Sequence, residues 1–219
     1  MQIGRYRIKL GRLRHIFISH LHGDHYLGLV GQLSTLHLRN RQEDIWVYGP
    51  SGLDQIITMH LKYTETVLGY KIHFITVDPN NSQVLFENET ITVTSIPMDH
   101  RIPCTGFLFT EKPKSYRLNK MHDLSKLSIQ EINTLKRGKD VLMGSNGIKY
   151  RADDYTMPPR KSRSYAYCSD TRYFEAIIPH IESVDLLYHE STFLSDQEQR
   201  AHETYHSTAL QAATCLLYT

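Results

Sequence analysis

The stretch His15-Ile-Phe-Ile-Ser-His-Leu-His-Gly-Asp-His25 joins a short β-branched and aromatic run to three histidines and a carboxylate packed within six residues. The run His15 to Ser19 suits a buried strand, and Leu29, Leu33 and Leu36 downstream recur at helical spacing. Strand, polar loop and helix in that order begin an α/β fold, whose loops at strand ends gather functional groups. Imidazole nitrogen and carboxylate oxygen are donors suited to Zn2+, and the absence of a nearby cysteine fits a catalytic site rather than a closed structural one. His20, His22, Asp24 and His25 are therefore candidate metal ligands. Gly23 is expected to supply a tight turn that aims them at two positions.

Ile45 to Tyr48 reads as a further strand closed by Gly49-Pro50, with Ser51 capping a helix to about Val67. Lys71 to Val77 is a strand ended by the turn Asp78-Pro-Asn-Asn. Val84 to Phe86 and Thr90 to Ile96 have the alternation of a hairpin, which Phe107 to Phe109 continues. Periodicity fails from Glu111 to Pro159, apart from a helical stretch near Ser128 to Leu135. Ser164 to Cys168 and Val184 to Tyr188 read as strands, and Arg172 to Ile181 and Gln197 onward as helices. The expectation is an α/β sandwich formed by residues 1–219 as a single domain, with a basic insertion at about 111–160.

A length of 219 residues allows one full-sized core. The composition, 40% hydrophobic and 22% charged, is that of a folded protein rather than a disordered one. No apolar run approaches the ~18 residues that span a bilayer, and the Arg-rich start lacks the apolar core of a signal peptide, so a cytoplasmic location and no membrane partner are expected. Cys104, Cys168 and Cys215 are too few and too widely spaced for a disulfide framework or a thiolate zinc finger. The net charge of +2 conceals an uneven distribution. Between Lys112 and Arg163 there are 13 Lys/Arg against 5 Asp/Glu, a local balance of +8, which leaves −6 for the remainder. Such a segment is either a solvated insertion or the electrostatic footprint of a polyanion.

More candidates stand at the ends of expected strands. His100 follows Ile96-Pro-Met-Asp99, Asp170 follows Ser164 to Cys168, and Glu190 stands in Tyr188-His-Glu-Ser-Thr-Phe193. Asp170 could equally cap the next helix, and Ser207 or Thr208 could cap the last one, beside His206. His37, His60, His73, His122, His180 and His202 lack clustered partners and read as ordinary surface or core residues.

Taken together, Ile16 to Tyr26, Asp99-His-Arg-Ile-Pro-Cys104, Pro159-Arg-Lys-Ser-Arg163, Ser169-Asp-Thr-Arg172, His189-Glu-Ser-Thr-Phe193 and His206-Ser-Thr208 resemble the ribonuclease Z family of the metallo-β-lactamase superfamily. The resemblance covers nearly all of the chain. It implies an αβ/βα sandwich, two zinc ions, and hydrolysis of precursor tRNA that leaves a 3′ hydroxyl on the tRNA and removes the 3′ trailer. It implies that His20, His22 and His100 bind one zinc, Asp24 and His25 the other, with Asp170 bridging. By the same resemblance Asp24 is also the base acting on the nucleophile, and Glu190 and His206 assist departure of the 3′ oxygen. Lys161 and Arg163 fall in its substrate-contacting loop, and a homodimer is implied. The family has strands before the first motif and a final His ligand beyond His206, so the sandwich is expected to be incomplete at both termini and the second zinc to lack a ligand. Rival readings are a hydrolase of small phosphodiesters or other esters on the same site, and a truncated, inactive chain that pairs with a complete subunit.

Overall fold

In the computed structural model, which describes residues 2–142 and 144–219, the single turn α1 (Gln2–Arg5) precedes three parallel strands. These are β1 (His15–Phe17), β2 (Ile45–Gly49) and β3 (Ile72–Thr76), hydrogen-bonded in that order, with His15 opposite Trp46 and Trp46 opposite His73. Parallel neighbours require crossovers, and α2 (Gly23–Leu38) and α3 (Leu53–Tyr63) supply them. Leu29, Leu33 and Leu36 of α2 and Leu53 and Ile57 of α3 pack with Ile45 and Val47 in one buried cluster. The expected leucine stripe is thus the face that seals the first sheet.

The second sheet has the order β10-β9-β6-β5-β4, built from β4 (Val84–Glu87), β5 (Ile91–Pro97), β6 (Thr105–Glu111), β9 (Ser164–Cys168) and β10 (Leu186–His189). β9 and β10 are parallel, with Tyr167 opposite Tyr188. Phe17 of the first sheet meets Phe107 and Phe109 of the second, with ring centroids 5.3 and 5.5 Å apart, so the two sheets face each other. Behind the second sheet, α6 (Ile178–Ile181) and α8 (Ala209–Leu216) bring Ile181 and Cys215 onto Ala166 and Cys168. Helices outside and two sheets inside form the αβ/βα sandwich. Gly106 of β6 is required by close approach, because a Cβ there would lie 2.4 Å from Met98 Cε and 2.7 Å from the Tyr167 carbonyl oxygen.

The chain forms two compact units. One comprises residues 1–86, 93–109 and 164–219, the other 87–92 and 110–163. In the second, β7 (Arg117–Leu118) pairs antiparallel with β8 (Thr156–Met157). Its core is Leu127, Leu135, Val141, Tyr150 and Ala152; Leu135 stands on α4 (Ile129–Lys136), Ala152 on α5 (Ala152–Tyr155), and Val141 pairs with Tyr150 in an antiparallel bridge. Ser128 and Glu131 form a reciprocal capping box at the start of α4.

Two expected helices differ. Ser51 does not cap α3; Gly52 does so with φ of 89°, a left-handed geometry that needs no side-chain oxygen, and the helix ends at Tyr63. Arg172 to Ile181 is helical only in a 3-10 turn at Glu175–Ile177 and in α6. The backbone N–H groups of Thr171 and Arg172 are instead given to Glu190 Oε1 and to the Asp99 carbonyl, which holds this segment as a loop. Asp170 accordingly caps no helix, whereas Thr208 caps α8 with Gln211.

Candidate metal and catalytic site

β1 delivers Ser19 and His20 into the buried interior, both at most 5% exposed. The chain is still extended at His22 and becomes helical at Gly23, so Asp24 and His25 occupy the first turn of α2. Gly23 has no left-handed backbone; the change from extended to helical conformation, rather than a glycine turn, separates the two pairs of side chains. His100 follows β5 and Asp170 follows β9, so the ends of three strands, β1, β5 and β9, converge here.

One donor atom from each of His20, His22, His100 and Asp170 lies within 4.8 Å of the others. His22 Nδ1 is 3.0 Å from His20 Nε2 and 3.2 Å from His100 Nε2. Asp170 Oδ2 is 3.6 Å from His20 Nε2 and 4.0 Å from His100 Nε2. Ligands at the ~2.0–2.1 Å of tetrahedral zinc would stand about 3.3 Å from one another, so three imidazoles and a carboxylate at these separations fit the ion. Burial, reinforced by His25, holds His20 down to about 4, and burial also lowers His100. Both rings are therefore neutral at pH 7 and have a lone pair to offer.

The far nitrogens of these rings have partners of their own. His20 Nδ1 is 3.0 Å from Ser19 Oγ and 3.5 Å from Cys104 Sγ. Ser169 Oγ donates to Ser19 Oγ at 3.1 Å and lies 3.5 Å from His25 Nδ1. The Tyr205 carbonyl accepts from His100 Nδ1 at 2.9 Å. The carbonyl can only accept, so it places the His100 ring proton on Nδ1 and leaves Nε2 bare. Tyr205 itself is left-handed, with φ of 59°, at the end of α7 (Glu198–Thr204), and the Arg172 guanidinium lies 4.4 Å from its ring centroid. Sequence reasoning gave roles to none of Ser19, Ser169, Tyr205, Arg101 or Arg172. Arg101 Nη2 stands 3.3 Å from His22 Nε2, and Arg172 pairs with Asp99. Arg101 lies in the stretch 99–104 beside His100, and Arg172 in the stretch 169–172 beside Asp170.

Asp24 and His25 stand beside the four-donor set without belonging to it. His25 Nε2 is 3.4 Å from both Asp24 Oδ2 and Asp170 Oδ2, and the Asp24 side chain is 80% exposed. Glu190, 7% exposed, binds His206 Nδ1 through Oε1 at 2.8 Å and Thr192 N through Oε2 at 2.9 Å. The His206 ring centroid is 5.3 Å from that of His100, which brings this pair against the cluster. Lys161 and Arg163 belong to the second unit. There the Arg163 guanidinium holds Glu111, Nη2 to Oε1 at 2.7 Å, and with Lys114 pulls that carboxyl down to about 2. Among the isolated histidines, His73 pairs with Asp44 at 2.8 Å and His37 accepts from Gly69 N.

A Beta-lactamase superfamily domain model matches residues 3–161. The chain is 51% identical over 191 residues to a ribonuclease Z of Cytophaga hutchinsonii, covering 87% of the chain and 61% of that relative. To a ribonuclease Z of Bacteroides fragilis it is 42% identical over 218 residues, 99% of the chain and 71% of the relative. The crystal structure of the short form of human tRNase Z superposes with a TM-score of 0.67 at 27% identity, covering 99% of this chain and 72% of that one. Identity of this extent over both lengths, on the fold described above, places the chain in the beta-lactamase superfamily and, within it, in the ribonuclease Z family.

Proposed function

We propose that the chain is a zinc-dependent endoribonuclease that removes the 3′ trailer of precursor tRNA by hydrolysing one phosphodiester bond. The observation that carries this reading is the set of four converging donors, His20, His22, His100 and Asp170, with Glu190 and His206 packed beside it. The names of the relatives, ribonuclease Z and tRNase Z, support the substrate class. His20, His22, His100 and Asp170 would hold one zinc, and Asp24, His25 and Asp170 a second. Zinc, when bound, supplies Lewis acidity toward water and toward a phosphoryl oxygen.

Asp24 is exposed at the mouth of the cluster, where its carboxylate can orient the attacking water and accept its proton. Glu190 holds His206 by Nδ1, which leaves Nε2 to protonate the departing 3′ oxygen. The products are a tRNA 3′ hydroxyl and a trailer with a 5′ phosphate. Lys161 and Arg163 contribute phosphate contacts from the basic second unit. The family resemblance also supports a homodimer and a cytoplasmic location.

The test is cleavage of a 5′-labelled precursor tRNA by zinc-loaded protein, with analysis of the new end. A single cut leaving a 3′ hydroxyl is expected. His206→Ala should slow single-turnover cleavage by roughly 10²–10⁴-fold with zinc content unchanged. Hydrolysis of bis(p-nitrophenyl) phosphate without any cutting of precursor tRNA would favour a small-phosphodiester hydrolase instead.

A further inference from the structure

The carboxyl ends of the three parallel strands carry a second concavity next to the metal cluster. Its walls are Leu21, Pro50, Val77, Pro79, Ile102 and Pro103, and it encloses about 460 Å3. Leu21 lies between the donors His20 and His22, while Ile102 and Pro103 follow His100 by two and three residues. The same short segments therefore present donors on one side and an apolar wall on the other. Crevices at the carboxyl ends of parallel strands are common ligand sites in α/β folds.

We propose that this pocket is a nucleobase slot, which receives one unpaired base of the RNA strand within a nucleotide or two of the bond that is cut. The proposal rests on the endoribonuclease reading above and adds a subsite to it. The lining chemistry selects the occupant. No Lys, Arg or His lines the pocket, so a phosphate gains nothing there. Its single charged group, Asp78, is an acid whose oxygens already accept from Asn80 N at 2.9 Å and Asn81 Nδ2 at 2.7 Å. An RNA strand offers one uncharged, flat component with two apolar faces, and that is the base. The hydroxyls of Ser51 and Thr76, which also line the pocket, have no hydrogen-bond partner among the described residues, so they can meet a base edge. A few polar groups on apolar walls, in a volume of about 300–1,000 Å3, characterise small-ligand sites.

The slot is also built before any ligand arrives. Val77 N donates to the Gly49 carbonyl at 2.9 Å, and Pro50, Pro79 and Pro103 restrict the backbone of three of its loops. A pre-formed cleft spares the ordering cost that binding would otherwise carry.

A double-mutant cycle on binding tests this, using zinc-loaded protein in the His206→Ala background so that precursor tRNA stays uncut. Abasic ribose is placed singly at the two nucleotides on either side of the cut. Thr76→Trp fills the slot from an exposed position, and its zinc content serves as the folding control. At one of the four positions the abasic RNA should bind about tenfold more weakly than intact RNA. Thr76→Trp should weaken intact RNA to a similar degree, and the two changes together should cost no more than either alone. Abasic RNA that binds as intact RNA does at all four positions, or losses that simply add, would overturn the slot while leaving the cleavage reading intact. Zinc-loaded wild-type protein that neither binds nor cuts precursor tRNA would overturn both.

Discussion

Ser19 offers its hydroxyl not to the four-donor set but to the far nitrogen of His20, which holds the ring in place. The Ser19 hydroxyl stands 3.0 Å from His20 Nδ1 and accepts a hydrogen bond from Ser169, whose Oγ in turn lies 3.5 Å from His25 Nδ1. Two serines thus orient one ring from each of the two donor groups. Removing such a partner commonly lowers metal affinity 10–100-fold. Ser19→Ala should therefore weaken zinc binding by about that factor with its urea midpoint nearly unchanged, as read by competition with a chromophoric chelator. Wild-type affinity in this variant would show that packing alone holds the ring. The donors were legible in the sequence because metal chemistry admits few residue types and four of them crowd into six residues. The residues that orient them were not, since Ser19 and Ser169 meet across 150 positions and Tyr205 acts through a backbone carbonyl.

Strands β1, β2, β3, β5 and β9 could be read from short β-branched and aromatic runs because each is bounded by polar or Gly/Pro punctuation. The start of α3 and the loop at Thr171 and Arg172 could not. In the first a left-handed glycine replaces a capping side chain, and in the second tertiary partners take backbone N–H groups that a helix would have used. Gly106 shows a similar dependence on context, for nothing in its neighbours along the chain indicates that Met98 and the Tyr167 carbonyl press on its Cα. Gly106→Ala should destabilise the protein by about 1–3 kcal/mol, measured as a shift in urea midpoint, because the carbonyl cannot yield as a side chain can. An unchanged midpoint would mean that β6 and β9 separate at little cost.

The whole molecule divides its charge as the sequence suggested, with the +8 stretch between Lys112 and Arg163 falling largely in the second compact unit. Each phosphate contact contributes about one unit to the slope of a log-log salt plot. Lys161→Ala with Arg163→Ala should therefore weaken precursor tRNA binding and flatten that slope by one to two units, with zinc content unaltered. An unaltered slope would leave Arg163 as a structural partner of Glu111. All of the proposed chemistry depends on His20, His22, His100 and Asp170 holding an ion. The most direct test is zinc per chain, measured by elemental mass spectrometry after gel filtration, for the wild type, His20→Ala and His122→Ala. The expected result is at least one tightly held zinc in the wild type and in His122→Ala, and loss of that zinc in His20→Ala. Equal zinc in all three proteins, or none in the wild type, would contradict the assignment.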